Sequence, residues 1–395
     1  MKIAHVITRM IIGGAQENTL STVCGLKKRG HNICIISGPS KGPEGSMEND
    51  IKNQNINLII VKQLIRNVSL WHDTIAFFRL GIIFRKNRYD IIHTHSAKAG
   101  FLGRIAAKIF SRKSKVVHTF HGSSFHKYQP PLIRYLYFLS EKLAGFCTDY
   151  FISVSSVILE KHIKTGIVKN KKCSIVRSGF QIEPYKKCGT LREKMRSYFH
   201  INEKDILIGM IGRLFPNKGQ EYLLRVFVNI SKDYPFIHLV LVGDGILRKA
   251  FETYVEINRV KNRVYFTGLV KPQDIPAYAA AMDIGVHTSL REGLPRAVVQ
   301  MLAAGNPVIA FDIDGTREVI KNGINGFIVP AKDEISLEGK LRYLIENPDA
   351  RKQMGQQGKK MALEEFSIEN MVAKIEEIYL NIVTKGIYKG RVDEG

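Results

Sequence analysis

The residues of this 395-residue chain that are best placed to do chemistry lie in a short turn near position 292. An apolar segment, 283–288, leads into Glu292, Gly293 and Pro295, and a helix is expected to run from about Arg296 until it stops at Gly305. The N-terminus of a helix carries partial positive charge and binds phosphate. Because Glu292 adds a carboxylate beside that terminus, the turn suits a ligand that carries both hydroxyl groups and phosphate. A sugar nucleotide is such a ligand.

Two basic residues, Arg213 and Lys218, lie in a loop that follows the apolar segment 205–211 and precedes a helix. Arginine offers a planar fork of donors and lysine a mobile point charge, so together they can neutralise a diphosphate without a metal ion. The alternative is a pair of solvated surface cations, which is common for these residue types. Pro216 and Gly219, which shape the loop, favour a binding site.

Paired glycines, Gly13 and Gly14, follow the first apolar segment of the chain. They would let a ligand approach the backbone closely. Their spacing differs from G-x-G-x-x-G, so the evidence for a dinucleotide site is weak. A tight turn between a strand and a helix explains the pair equally well.

Histidines stand at the ends of two further apolar segments, as His93-Thr-His95 and His118-Thr-Phe-His121. Zinc ligands use the spacing of His93 and His95, but no carboxylate or thiol lies beside them to complete a site, and we predict no metal centre. A histidine at a strand end can also be a core residue with satisfied hydrogen bonds. His121, which is followed by Gly122, is the histidine that we expect in an active site.

Short apolar segments alternate with helical stretches along the whole chain and would position these residues. Most are apolar on both faces, which is typical of parallel strands covered by helices on both sides. The pattern predicts two doubly wound, Rossmann-like α/β domains that face each other across a cleft. The predicted strands are 2–7, 32–37, 57–61, 90–94, 115–120, 149–154, 173–177, 205–211, 237–243, 263–267, 283–288, 307–311 and 326–329.

The domain boundary is expected where this pattern weakens, near 180–204, a stretch rich in Lys, Arg and Tyr. The predicted domains are residues 1–190 and 191–366. A C-terminal helix and polar tail, 367–395, follow them and are expected to pack back toward the first domain.

The composition is that of a soluble globular protein, with 45% hydrophobic and 24% charged residues. The chain contains no uninterrupted run of about 18 apolar residues, which is the length that a membrane-spanning helix requires. The five cysteines contain no C-x-x-C pair, which fits a reducing cytosol better than a disulfide framework or a zinc site.

The net charge of +23 is concentrated in the first half of the chain. Residues 1–190 contain 30 Lys and Arg against 10 Asp and Glu, a net charge of +20, and the other residues carry +3. An anionic polymer, an anionic membrane surface or solubility alone could account for a basic domain.

The segment 128–142 mixes aromatic and aliphatic residues with basic ones, which is typical of an interfacial surface. We expect it to help the first domain dock on an anionic membrane. The alternative is that its apolar residues simply face the core, namely Leu132, Tyr135, Leu136 and Leu139.

Seven motifs occur together and in order. They are Gly13-Gly14, His118-Thr-Phe-His121-Gly122, Gly212-Arg213 with Lys218-Gly219, Val242-Gly-Asp-Gly245, Val264-Tyr-Phe-Thr-Gly268, Arg291-Glu292-Gly-Leu-Pro295 and Gly305-Asn-Pro-Val-Ile-Ala310. As an ensemble they resemble the retaining nucleotide-sugar glycosyltransferases of family four, which have the GT-B fold. The resemblance covers about residues 1–366. It implies that the first domain holds the acceptor and the second the sugar nucleotide. Members commonly extend lipopolysaccharide, capsule, exopolysaccharide or glycolipid precursors at the inner face of a membrane.

The resemblance also implies roles for single residues. Arg213 and Lys218 match the diphosphate-binding pair, Glu292 matches the first acid of the family's E-x7-E motif, which contacts the donor sugar, and His121 matches the histidine that approaches this sugar. Val270 would hold the base through its backbone, and the N–H groups of Gly293 and Leu294 would cap the sugar and phosphate. The other implied donor-binding residues are Gly13, Gly14, Pro295 and Gln300.

One position departs from the family pattern, because the second acid of E-x7-E falls on Gln300. In the family this acid receives both ribose hydroxyls, whereas a glutamine offers a single acceptor oxygen. The loss of a charge-assisted hydrogen bond would weaken donor binding by about 1 kcal/mol or more. Gln16 also stands where many relatives have Glu.

We therefore predict a metal-independent, retaining glycosyltransferase that is cytoplasmic and peripheral at the inner face of the cytoplasmic membrane. It would move a hexosyl or N-acetylhexosaminyl group from a nucleoside diphosphate sugar to a lipid-linked or membrane-associated glycan. A UDP-sugar is favoured over GDP-mannose, as co-substrate and without a further cofactor. Same-face attack is favoured because no second carboxylate is evident as a covalent nucleophile.

Two alternatives remain open for the function. One is a sugar-nucleotide epimerase of the same fold, and the other is a catalytically weakened carbohydrate-binding relative, which Gln300 would fit. No nucleic-acid partner is predicted, because charge alone suggests one and no recognition module is found.

Overall fold

The computed structural model describes residues 1–40, 45–125, 129–169, 172–313 and 315–389. The chain divides into two compact units. The first unit comprises Met1–Phe180 and the segment that begins at Ile368, and the second comprises Gln181–Ser367. Each is a parallel sheet with helices packed against it.

The first unit contains strands β1 (Lys2–Arg9), β2 (Asn32–Gly38), β3 (Asn57–Ile60), β4 (Ile91–His95), β5 (Lys115–Phe120), β6 (Tyr150–Ser153) and β7 (Cys173–Ile175). Within the described residues they form one parallel sheet of seven strands in the order β3-β2-β1-β4-β5-β6-β7. Its helices from this part of the chain are α1 (Gly14–Lys28), α2 (Glu48–Asn53), α3 (Leu70–Asn87), α4 (Ala97–Phe110), α5 (Pro131–Gly145) and α6 (Ser156–Lys164).

The second unit contains strands β8 (Ile206–Ile211), β9 (Ile237–Val242), β10 (Val264–Phe266), β11 (Ile284–His287), β12 (Val308–Phe311) and β13 (Gly326–Val329). Where the chain is described, they form a parallel sheet of six strands in the order β10-β9-β8-β11-β12-β13. Its helices are α7 (Glu183–Lys186), α8 (Cys188–Tyr198), α9 (Gln220–Ile230), α10 (Arg248–Ile257), α11 (Ile275–Ala281), α12 (Arg296–Ala304), α13 (Thr316–Val319), α14 (Glu334–Glu346) and α15 (Pro348–Glu365).

The predicted strands are all present, with ends that differ by no more than two residues. The prediction succeeded because helices cover these sheets and leave the strand interiors buried. Every residue of β8, for example, is buried. Continuous apolar runs are the expected signature of such strands.

The predicted linker, 180–204, is instead largely helical and belongs to the second unit. Helix α8 packs on α11, and its Arg192 and Arg196 bind the carboxylate of Asp283 at 2.6 and 2.9 Å. Because ion pairs rather than a broad apolar face hold α8, its sequence shows little apolar periodicity. The boundary between the units therefore follows Phe180 rather than residue 190.

After the second unit, the chain returns to the first as helix α16 (Ile368–Lys389). Val372 of α16 packs against Gly25 of α1 so closely that a β-carbon on Gly25 would lie 2.4 Å from Val372 Cγ2. The carboxylate of Glu376 binds Arg29 and His31, each at 2.7 Å. The core of the first unit thus includes α16.

Both sheets have a switch point, where the strand order reverses. It lies between β1 and β4 in the first unit and between β8 and β11 in the second. Open parallel sheets bind ligands outside the carboxyl ends of their strands at such points. A ligand is therefore expected to bind at the loops that follow these four strands.

Within the described ranges, no helix has both the length and the hydropathy needed to span a membrane.

Candidate active site

Two loops at the switch point of the second sheet are hydrogen-bonded to each other, and together we call them the platform (residues 212–219 and 288–295). The Thr288 hydroxyl donates to the carbonyl of Gly219 at 2.7 Å, and the N–H of Leu290 donates to the carbonyl of Asn217 at 2.9 Å. Gly219 has φ +79°, and a β-carbon there would lie 1.9 Å from the Thr288 carbonyl oxygen. Only glycine fits both requirements.

The platform brings two of the predicted residues into contact. Lys218 Nζ donates to Glu292 Oε1 at 2.5 Å, and both side chains are about three-quarters buried. Burial alone would raise the pKa of Glu292, but the charge of Lys218 and hydrogen bonds from Lys218 and Ser289 hold it below its usual range. Glu292 is therefore an ionised carboxylate at neutral pH and a strong hydrogen-bond acceptor.

Sequence reasoning missed His287, the last residue of β11. Its side chain is 3% exposed, and Nε2 lies 3.7 Å from Glu292 Oε1. Among the described residues, neither ring nitrogen has a hydrogen-bond partner. Burial, helped by the charge of Lys218 and opposed by Glu292, lowers the pKa of His287 to about 4, so the ring is neutral. A histidine that ends an apolar strand just before an acidic turn was the available signal.

Arg213 lies on the same loop as Lys218. It is exposed, and its guanidinium carbon lies 5.3 Å from the centre of the Phe215 ring. The Gln220 side chain donates to the Arg213 carbonyl at 2.9 Å, which ties this end of the loop to α9. The backbone of Arg213 is thus held in place, while its side chain reaches the solvent.

The turn before α12 has the predicted form. Gly293, Leu294 and Pro295 are buried, and α12 ends at Gly305, which has φ +98°. Gln300 is half-buried on α12. Val270 follows the turn at Gly268 and is also half-buried.

In the first unit, His121 belongs to a hydrogen-bonded chain that we call the histidine network (His5, His93, His95, His121 and Tyr379). His5 of β1 pairs in register with His93 of β4, and His95 lies two residues further on the same face of the sheet. His5 Nδ1 lies 2.9 Å from His95 Nε2, and His95 Nδ1 lies 3.0 Å from His121 Nε2.

The network ends on helix α16. The Tyr379 hydroxyl lies 2.5 Å from His93 Nδ1 and 3.4 Å from His5 Nε2. Burial lowers the pKa of His5 to about 3 and the pKa values of His93 and His95 far below their usual range, so these rings are neutral. A neutral imidazole has one donor and one acceptor nitrogen, so each ring constrains the tautomer of the next. The network therefore orients the Nε2 side of His121.

The same three buried histidines, His5, His93 and His95, have ring nitrogens within 4.8 Å of one another, a spacing that a metal ion could use. However, each of their six ring nitrogens already lies within 3.4 Å of a partner on His121, Tyr379, Thr119 or another histidine of the set. These contacts favour a hydrogen-bonded network over a metal centre.

Gly13 and Gly14 lie at the switch point of the first sheet, where Gly14 begins α1 and the N–H of Glu17 donates to the Gly13 carbonyl at 2.9 Å. The structure therefore places these two glycines and His121 in the first unit. Arg213, Lys218, Val270, Glu292 and Gln300 belong to the second unit.

Two family models match the chain over most of its length. The model "Glycosyltransferase Family 4" matches residues 12–183, and "Glycosyl transferases group 1" matches residues 192–361. EpsD of Bacillus subtilis, named "Putative glycosyltransferase EpsD", is 30% identical over 74% of this chain and 76% of its own length. The chain belongs to the family-four glycosyltransferases.

Another relative of this glycosyltransferase is the Escherichia coli UDP-Gal:alpha-D-GlcNAc-diphosphoundecaprenol alpha-1,3-galactosyltransferase, which is 29% identical over 97% of each chain. Among solved structures, HepE of Anabaena in complex with UDP has a TM-score of 0.80 at 22% identity, over 95% of this chain and 99% of its own. This likeness confirms the predicted GT-B fold.

Proposed function

We propose that this glycosyltransferase transfers a sugar from a UDP-sugar to a lipid-linked glycan, with retention of configuration and without a metal ion. The observation that carries the proposal is the Lys218–Glu292 pair, held at 2.5 Å on two hydrogen-bonded loops at the switch point of the second sheet. A cation and an ionised carboxylate side by side match a ligand with a diphosphate and a sugar.

On the donor side, Arg213, Lys218 and the N-terminus of α12 balance the charge of the diphosphate as it leaves. Glu292 accepts hydrogen bonds from hydroxyls of the donor sugar, and Gln300 accepts one from the ribose. The names of two similar proteins support uridine as the base, because the Escherichia coli relative uses UDP-Gal and HepE was solved with UDP.

The other proposed donor contacts are made mainly by backbone atoms. Gly293, Leu294 and Pro295 border the sugar and phosphate, Val270 holds the base, and Gly13 and Gly14 allow close approach of the ligand. His121 is the residue of the first unit to which we assign a role at the reacting sugar.

Retention is proposed to occur by same-face attack. The hydrogen bond and charge of Lys218 hold Glu292 as an acceptor, which leaves it poorly suited to act as a covalent nucleophile. The leaving phosphate would then receive the proton of the acceptor hydroxyl, while Arg213 and Lys218 stabilise the developing charge.

A lipid-linked acceptor is supported by charge and by one relative. Residues 1–190 carry a net charge of +20, which would favour an anionic membrane surface. The Escherichia coli relative acts on a diphosphoundecaprenol-linked sugar.

The proposal is tested by measuring the thermal stability of the full chain with a panel of UDP- and GDP-sugars in excess chelator. A donor that binds the folded protein must raise its melting temperature. We expect the largest rise in melting temperature with a UDP-sugar, turnover that persists in chelator, and a product that has the donor's anomeric configuration by NMR.

Activity that chelator abolishes and magnesium or manganese restores would contradict the proposed independence from a metal ion. Release of free sugar and UDP without an acceptor would favour the epimerase.

A further inference from the structure

A groove of about 980 Å³ lies within the first unit and is not explained by donor binding. Helices α3, α4 and α5 form its walls, and it extends to the turns after β1 and β4. Its volume is at the upper end of the range for small-molecule sites, about 300–1,000 Å³. It therefore has room for a long ligand.

The groove has one polar end and a long apolar body. The polar end, at the switch point of the first sheet, carries Thr8, Arg9, Ser96 and Lys98. Asp73 of α3 also lines the groove there and binds the Lys98 ammonium at 2.5 Å, so Arg9 gives this end its net positive charge. The apolar body is lined by side chains from three helices, among them Phe77, Phe101, Ile105, Ile133 and Leu136. This division matches an amphiphile with an anionic head.

Helix α5 turns much of its apolar surface outward. Its fully buried residues are Glu141 and Ala144, and Glu141 binds the buried Arg104 of α4 at 2.6 Å. The alternative that the apolar residues of segment 128–142 face the core is therefore wrong for those in α5. Tyr128 lies outside the described residues. The exposed apolar residues of α5 are Leu132, Ile133, Tyr135, Leu136, Leu139 and Leu143.

Helix α3 forms the opposite wall and is exposed in the same way. Leu70 is 89% and Trp71 is 74% exposed, and both lie at its N-terminal end, where Val68 and Leu70 line the groove. Neighbouring apolar residues exposed together indicate a binding or membrane-facing surface, unlike single exposed ones. The basic residues Arg79 of α3 and Arg134 and Lys142 of α5 are exposed on the same helices, as expected of a surface that meets anionic lipid.

We propose that this groove holds the hydrocarbon chain of the lipid-linked acceptor, a long-chain phosphate or diphosphate. Its phosphate would lie at the end that carries Arg9 and Lys98, and its glycan would point toward His121. The inference rests on the proposed function and adds to it the site that recognises the lipid.

The position of the polar end favours the acceptor lipid over bulk membrane lipid or a second copy of the chain. Ser96 follows His95 directly, and His95 contacts His121. The Thr8 and Ser96 hydroxyls hydrogen-bond to each other at 2.7 Å, so the turns after β1 and β4 are joined there. A protein that merely covered the apolar body would have no use for a cationic end beside the histidine network.

The test uses the full chain with farnesyl diphosphate as the probe and inorganic pyrophosphate as the headgroup alone, by isothermal titration below the micelle concentration. Leu136→Trp fills the groove while keeping it apolar. Leu143→Trp is a matched control, because Leu143 is also 56% exposed on α5 and does not line the groove.

We expect farnesyl diphosphate to bind at least about tenfold more tightly than pyrophosphate, because chain burial supplies the difference. Leu136→Trp should weaken farnesyl diphosphate by about tenfold or more. Leu143→Trp should change it little, and neither variant should change the affinity for UDP.

Equal affinity for the two probes would overturn the inference, since it would indicate a phosphate site without a chain. An equal loss in the two variants would also overturn it. So would a dimer in light scattering that Leu136→Trp dissociates, because a second copy would then cover the groove. A further outcome is that the chain transfers sugar normally from a UDP-sugar to a short, water-soluble acceptor and yet binds no farnesyl diphosphate. That result would contradict lipid binding in the groove and leave the proposed function intact. Failure to bind any UDP-sugar would instead contradict the proposed function.

Discussion

Lys218 is the residue whose charge most directly maintains the proposed donor site, since its ammonium group both touches Glu292 and lowers the pKa of that carboxyl. We expect Lys218→Met to reduce turnover by roughly 10²-fold, the scale of one lost preorganised electrostatic contact. The acid limb of the pH–rate profile should also move to higher pH, because the pKa of Glu292 rises once Lys218 is absent. Steady-state kinetics from pH 4 to 8 measure both effects.

The exposed Lys232 of the second unit provides the control for this prediction. Lys232→Met removes the same charge from the surface and should leave both rate and pH profile unchanged. If Lys218→Met behaved in the same way, Lys218 would have no part in the mechanism.

His287 should contribute to the acid sensitivity of the fold. Its pKa is about 4 in the folded protein, against 6.5 for an ordinary histidine. As pH falls below about 6.5, His287 becomes protonated in the unfolded chain but stays neutral in the folded one. The free energy of unfolding therefore decreases until about pH 4. We expect His287→Gln to reduce the slope of unfolding free energy against pH by up to about 1.4 kcal/mol per unit in this window.

Urea denaturation at several pH values measures that slope. His72 is exposed on α3, and His72→Gln is the control that should leave the slope as it is in the wild type. An unchanged slope in His287→Gln would show that the buried ring does not remain neutral.

The candidate site residues that the sequence could predict are those that adjoin a strand end and belong to a local motif, such as Lys218 and Glu292. Their contact depends on two loops whose hydrogen bonds join distant parts of the chain, and no spacing rule gives its distance. Tyr379 gave no signal at all, because its partner His93 lies 286 positions away in the sequence. His287 gave a weak signal in a strand that otherwise reads as apolar core.

Helix α5 is attached to α4 through the buried ion pair between Glu141 and Arg104. Glu141→Leu leaves the charge of Arg104 buried without its partner, and we expect it to cost about 3–5 kcal/mol of unfolding free energy. The double variant Arg104→Met with Glu141→Leu removes both charges and should recover most of that loss. Chemical denaturation of the two variants and the wild type provides the comparison.

A double variant no more stable than the single one would show that packing of Glu141, rather than its charge, holds α5. The guanidinium Nη1 of Arg104 already lacks a partner among the described residues, which adds to the expected gain on removing it.

Strands were easier to predict than the way helices attach. Parallel strands that are buried on both faces, such as β8, consist of continuous apolar runs and are therefore easy to predict. Helix α8 attaches through Arg192 and Arg196 instead, so its sequence resembles that of a linker. For α5 the apolar spacing was clear, but it could not show whether the apolar face met the core or the solvent. Apolar periodicity shows that one face of a helix is apolar. It does not show what packs against that face, because the partner lies elsewhere in the chain.

For the whole molecule, the uneven charge predicts how the enzyme meets a membrane. We expect the full chain to co-sediment with anionic vesicles at low ionic strength and to be released as salt rises, because screening acts over about 10 Å at 0.1 M. Neutral vesicles should bind much less. Arg134→Glu on α5 should weaken the binding, while Lys232→Glu in the second unit, the same change of charge, should not. Indifference to lipid charge, or equal effects of the two substitutions, would contradict this orientation.

The return of α16 to the first unit also sets the order in which the protein can mature on the ribosome. All of Gln181–Ser367 must be translated between Phe180 and the helix that carries Val372 and Tyr379. At about 5–20 residues per second, that interval lasts roughly 10–40 s. The second unit can thus fold first, while the first unit lacks the helix that packs along α1 and the tyrosine of the histidine network until α16 has been made. Released chains that end at Ser367 should contain a protease-resistant 181–367 fragment beside a protease-sensitive N-terminal half. Equal resistance of both halves would show that the first unit does not need α16 in order to fold.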